Sequence, residues 1–283
     1  MARSAGILQA LVGPGLALML ATAAPAAGGP AGADETKVRL VPTRTAVGTR
    51  ATVELGVHIQ LAPGWKTYWR DPGEAGVPPA FDWAGSRNVA GAEVAYPAPR
   101  RFESYGSESF GYAGEVVLPV RLTLAQPGQA AEVRLALDYA VCKEVCLPAR
   151  AELALALPAG AAAPGPEAGL VERFRRLVPR PEGGAFVIET VQLAGAPGAE
   201  RLRVAVRALD GGFRAPDLIA EGSVTIRYGR PRLSLAGDRR TARFELPVEA
   251  AMAGASAAGV EVTLTLIDGE RAIERRVRAR PAS

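Results

Sequence analysis

The chain has 283 residues, 48% hydrophobic and 22% charged, with a formal net charge of +4, two cysteines and one histidine. Its arginines are spread over both halves without a dense cluster, which argues against nucleic acid as a partner, because phosphate recognition needs a basic stripe or patch. Two cysteines and one distant histidine also fall short of the four protein ligands of a structural zinc site.

Residues 1–27 read as a secretory signal peptide. Arg3 supplies the positive end, Ile7 to Leu20 the apolar run, and the small residues from Ala21 to Ala26 fit an A-x-A cleavage site. Pro14 and the glycines at 6, 13 and 15 leave that run short for a stable membrane span. The mature chain is therefore expected to be periplasmic, without a membrane span, in a setting where disulfides form and persist.

From there the pattern is that of strands. Val53, Leu55, Val57, Ile59 and Leu61 alternate, the period of a strand with one buried face. His58 falls on the opposite face and is expected at the sheet surface. Further strands are expected at 115–125, 131–142 and 150–158. In the second of these Val133, Leu135, Leu137, Tyr139 and Val141 share a face while Asp138 and Cys142 point the other way. Clusters of Pro, Gly, Asn and Asp separate the strands, as in an antiparallel sandwich.

Residues 159–180 read as a linker and short helix. The segment rich in Ala, Gly and Pro has little to bury, and Leu170, Val171, Phe174, Leu177 and Val178 then recur at helical spacing until Pro179. Alternation returns in 202–209, 223–229, 243–250 and 260–273, with Asp210-Gly211 and Asp268-Gly269 as hairpin-turn signals. Leu118-Pro119-Val120 and Leu246-Pro247-Val248 echo each other, which suits two sandwiches of one general design. A proline inside a strand is expected at an edge or bulge. The expected organisation is all-β: residues 34–158 form one sandwich and 181–283 a second without cysteines.

The cysteines lie four positions apart, at 142 and 146. On one extended strand they would be about 13 Å apart, beyond the roughly 7 Å limit for a disulfide. A turn through Lys143-Glu144-Val145 would bring them to about 5.5 Å across a hairpin, and a helical turn would also bring them close. Closing so small a ring is worth about 2 kcal/mol against about 4.7 for a hundred-residue loop, so a structural staple gains little here. Thiol–disulfide exchange needs one reachable sulfur and a second near enough to resolve the mixed disulfide, which adjacent cysteines on a turn provide. A permanent clip in a protein-binding adaptor module and a two-coordinate copper(I) site stay open as alternatives. No metal or other cofactor is assigned.

Three segments, 64–83 with "GWKTYW", 102–120 with "FESYG" and 138–149 with both cysteines, occur in an order that resembles the N-terminal periplasmic domain of the thiol:disulfide interchange protein DsbD and its ScsB-like relatives. The resemblance implies an immunoglobulin-like sandwich over residues 36–158 and a redox-active couple. In it Cys146 forms mixed disulfides and Cys142 resolves them. It also implies a cap loop at Phe102, Glu103, Ser104, Tyr105 and Gly106, in which Ser104 stands at the usual aromatic position, and an active-site aromatic at Tyr68. The implied partners are a thioredoxin-like domain or membrane DsbD/CcdA-like electron donor on one side and oxidised periplasmic proteins on the other. Trp65, Trp69, Trp83 and Phe110 are expected mainly in the core, as large apolar groups usually are.

Overall fold

The computed structural model describes residues 34–104, 106–196, 198–223, 225–250 and 256–281; the signal segment at 1–27 lies outside them. The first ten strands are β1 (Thr36–Pro42), β2 (Thr52–Leu61), β3 (Lys66–Gly73), β4 (Ala80–Asp82), β5 (Val89–Val94), β6 (Arg100–Ser104), β7 (Ser107–Ala113), β8 (Glu115–Leu124), β9 (Ala131–Cys142) and β10 (Cys146–Leu157). They form two antiparallel sheets, β1-β2-β8-β5 and β10-β9-β3-β7-β6, with β4 also paired to β9. The alternating residues of β2 and β9 meet between the sheets. Leu55, Val57, Leu135, Leu137 and Val141 are all buried there with Trp69, each contributing about 1.5–3 kcal/mol of transfer free energy.

Helix α1 (Ala168–Arg175) lies on the outer side of the first sheet and buries Val171 and Phe174 in the same core. Gly56 permits this approach: a Cβ there would sit 2.4 Å from Val117 Cγ1 and 3.0 Å from Val171 Cγ2. The helix also overturns the surface position expected for His58, which is only 2% exposed. Its Nε2 lies 2.9 Å from Glu115 Oε1, while Nδ1 is buried without a partner. Burial lowers the imidazole pKa despite the Glu115 bond that raises it. A neutral ring donating from Nε2 fits both facts, since Nδ1 then buries only a lone pair.

The second set comprises β11 (Arg180–Pro181), β12 (Phe186–Ala194), β13 (Arg201–Ala208), β14 (Asp217–Glu221), β15 (Ile226–Tyr228), β16 (Arg232–Leu235), β17 (Thr241–Ala250), β18 (Glu261–Asp268), β19 (Arg271–Arg278) and β20 (Arg280–Pro281). Its sheets are β11-β19-β18-β14 and β15-β17-β13-β12-β20, with β16 also on β17. A separate core fills it, including Phe186 stacked on Phe213 with centroids 5.2 Å apart. The described residues are thus nearly all-β, two mainly antiparallel sandwiches with one short helix; the two-residue strands β11 and β20 add parallel to β19 and β12.

Two local expectations change. Asp210-Gly211 does not close a hairpin, because β13 and β14 belong to different sheets and the segment crosses between them. Asp268-Gly269 does turn a hairpin, β18 to β19, and the Asp268 carboxylate accepts the N–H groups of Arg214 and Ala215. The prolines of the Leu-Pro-Val echo sit in interior strands, β8 and β17, rather than at edges. Each is tolerated where a neighbouring strand runs out. The Pro119 carbonyl accepts Ala95 N–H just past the end of β5, and the Pro247 carbonyl accepts Gly229 N–H just past β15. In a strand a residue's N and carbonyl face the same neighbour, so the missing donors fall outside the regular ladder.

Candidate functional site

β9 and β10 make one long antiparallel hairpin whose register pairs Leu157 with Ala131 at one end and Cys146 with Cys142 at the other. Lys143, Glu144 and Val145 form the turn, and Lys143 N–H bonds the Val145 carbonyl at 3.3 Å. The two cysteines form a disulfide with Cα atoms 4.1 Å apart. That spacing lies near the ~4.5 Å of a non-hydrogen-bonded antiparallel pair, closer than the 5.5 Å first expected. The sulfurs differ in environment. Cys142 is 2% exposed, whereas Cys146 is exposed, as is the neighbouring Val145.

β3 continues the sheet beside β9, with Lys66 directly opposite Cys142. Side chains opposite one another share a face, and so do residues two apart, so Lys66 and Tyr68 lie on the cysteine face rather than toward the main core. Tyr68, Ala140 and Cys142 form a small buried cluster there. The Tyr68 hydroxyl is 2.7 Å from Cys142 Sγ and 3.1 Å from Cys146 Sγ. A disulfide has no hydrogen to give, so the phenol donates. Burial raises the Tyr68 pKa and keeps that proton in place. The loop after β3 lies flat on the ring: a Cβ at Gly76 would fall 2.6 Å from Tyr68 Cε1.

Lys66 Nζ donates to Ser109 Oγ at 3.1 Å and lies 5.2 Å from the centroid of the Phe102 ring. Desolvation lowers its pKa. Nothing in the spacing of "GWKTYW" had singled out Lys66; its place two residues before Tyr68, on the same strand face, was the available signal.

The segment matched to a cap loop is the tip of the β6–β7 hairpin, closed at the pair Ser104 and Ser107. Gly106 occupies the turn with φ +78°, a conformation open mainly to glycine; Tyr105 lies outside the described residues. Phe102 is drawn to the cysteine face through Lys66. Glu103 turns away from it and accepts a 2.7 Å bond from Arg230 Nη1. The structure therefore brings Cys142, Cys146 and Tyr68 together, adds Lys66 and Phe102, and sends Glu103 to the second sandwich. Of the aromatics expected in the core, Trp69 is fully buried, while Trp65, Trp83 and Phe110 pack partly buried against it. Among the described residues no group of three or more His, Cys, Asp or Glu side chains is placed to hold a metal.

An immunoglobulin-like sandwich with a cystine at a hairpin end and a tyrosine donating to it defines the class: a β-domain built around a thiol–disulfide pair. Residues 37–158 match the family model described as thiol:disulfide interchange protein DsbD, N-terminal, over the stretch that carries the three motifs. Residues 177–282 match a domain of unknown function (DUF8393). The crystal structure of the N-terminal periplasmic domain of ScsB from Proteus mirabilis is similar in fold. Its TM-score is 0.71 at 24% identity, over 88% of this chain and 95% of that one. No curated protein matches the chain by sequence. Among the described residues no helix is long and apolar enough to cross a membrane.

Proposed function

We propose that the protein is a periplasmic thiol–disulfide exchange protein that passes electrons between a thioredoxin-like or membrane-embedded dithiol donor and oxidised periplasmic proteins through Cys142 and Cys146. The observation that carries this reading is the asymmetry of the pair: an exposed Cys146, a buried Cys142, and one phenol donating to both sulfurs.

The chemistry follows from that arrangement. A donor thiolate attacks the reachable Cys146 Sγ. A donor–Cys146 bond forms, the Cys142–Cys146 bond breaks, and its electron pair leaves on Cys142 as a thiolate. Tyr68 already points its O–H at that sulfur, and a hydrogen bond to an anion is roughly twice as strong as one to a neutral acceptor. The donor's second thiol then attacks the donor sulfur of the mixed disulfide, Cys146 leaves as a thiolate, and the donor departs oxidised with Cys142 and Cys146 both reduced. Toward a client the order reverses: the Cys146 thiolate attacks the client disulfide, and Cys142 resolves the mixed disulfide as the client leaves reduced. The flanking Val145 is apolar and exposed, suited to contact with a protein surface.

Cys142→Ser tests the reading. With resolution blocked, Cys146 is expected to accumulate mixed disulfides with periplasmic proteins, visible as thiol-sensitive bands, and Cys146→Ser is expected to accumulate none. Recovery of no adduct from Cys142→Ser, with a disulfide midpoint well below about −300 mV, would instead mark the inert clip of an adaptor module.

A further inference from the structure

The second sandwich has no cysteine, yet it grips the part of the first that borders the cystine. β6 and β7 present alternate residues to opposite sides. On one side, Arg101 is largely buried and forks onto Asp217, with Nε to Oδ2 at 3.0 Å and Nη2 to Oδ1 at 2.9 Å, and donates to the Leu218 carbonyl at 3.1 Å. Glu108, on the same side of β7, accepts from Arg101 at 2.6 Å and lies 3.5 Å from Arg230, which also holds Glu103. On the other side, Phe102 and its register partner Ser109 receive the ammonium of Lys66, the residue whose strand position faces Cys142. Arg70, two residues past Tyr68, is bidentate to Glu221 and also pairs with Glu274. Ile219 of β14 completes the first core beneath these ion pairs.

We propose that the second sandwich is a clamp for the β6–β7 hairpin: by fixing Arg101, Glu103 and Glu108 on one face, it holds Phe102 and Ser109 on the other, and through them keeps the Lys66 cation on the sheet face that carries the leaving sulfur, Cys142. Arg101 and Asp217 act as positioning residues, since neither touches sulfur. The inference rests on the exchange reading for its purpose, but not for its test. With Cys146 already exposed, loosening the clamp is expected to slow reduction by releasing the cation rather than to speed it by uncovering the sulfur.

The test uses the whole mature chain and a small dithiol, dithiothreitol, so it can be read whether or not any protein adduct is ever trapped. Arg101→Gln and Asp217→Asn approach one contact from the two sandwiches. Each is expected to speed amide hydrogen exchange in residues 100–113 at least tenfold and to slow the reduction of Cys142–Cys146 at least threefold. The double variant is expected to match either single one. In a Lys66→Met background, Asp217→Asn is expected to leave the reduction rate unchanged while still loosening the hairpin. The proposal is overturned if hairpin exchange is unaltered, if the two substitutions add, if the loss of protection spreads over β14 to β19 instead, or if Asp217→Asn slows reduction equally without Lys66.

Discussion

The two sandwiches are variations on one plan with opposite duties at their hairpin ends. Both place a Leu-Pro-Val segment in an interior strand, with the proline carbonyl taking an N–H just beyond the end of a shorter neighbour. Only the first ends a hairpin of two twelve-residue strands in opposed cysteines, and among the described residues only the first has a helix laid over a sheet face. The second ends its β18–β19 hairpin in Asp268 and Arg271, a buried carboxylate paired with a guanidinium and two backbone N–H groups. The comparison teaches that the fold itself demands neither the sulfurs nor the tyrosine. The first hairpin end closes in a cystine, and the second closes in an ion pair that braces the crossover at 214–215.

Matched core substitutions test the shared plan and carry the largest effect. Leu118→Ala in β8 and Leu264→Ala in β18, both buried, are each expected to cost about 2–5 kcal/mol. Denaturant unfolding followed by domain-resolved hydrogen exchange checks this; if the two costs differed by more than that range, the sandwiches would not be equivalent scaffolds.

A smaller effect separates the duties. Tyr68→Phe keeps the ring against Gly76 and removes only the O–H, and hydrogen bonds to charged groups contribute about 1.5–3 kcal/mol. Reduction by dithiothreitol is expected to slow about tenfold or more, since ~1.4 kcal/mol corresponds to a factor of ten, with little change in stability. An unaltered rate would show that the phenol is packing alone.

Smallest is a dependence on pH confined to the first sandwich. His58 has a folded pKa below its ordinary value of 6.5 because burial disfavours the charged ring. Between the folded and unfolded values the unfolded chain binds more protons, so stability is full above about 6.5 and declines as the pH falls through that window. His58→Gln is expected to flatten this decline in the melting temperature of the first sandwich. A decline of the same steepness in the variant would assign it to other groups.

Much of this was legible in residue order because it is local. The alternation of β2 and β9 named their buried faces, and the impossibility of a bond along one strand required a bend of some kind at 143–145. The motifs pointed to Tyr68 before any distance was known. What stayed hidden depends on partners far apart in the chain. His58 looked superficial because the helix that packs on its side of the sheet, with Val171 against Gly56 and Arg173 on Glu115, arrives more than a hundred residues later. Arg101 and Asp217 share no pattern that would pair them. Asp210-Gly211 marks a bend correctly, but a bend does not reveal whether the next strand returns to the same sheet.

The ladder joining β9 to β10 has a further consequence for change over time. Strand faces alternate with every residue, so sliding β9 one place forward would put Val141 where the sulfur had been and carry Cys142 into the turn, while sliding it one place back would bury Cys142 in the apolar site of Val141. Single-residue insertions within 131–141 are therefore barred by chemistry as much as by packing, while length is free to vary beyond the far end, before Ala131. The cystine is in this sense counted off from the hairpin's base, and the count has to be kept to the residue.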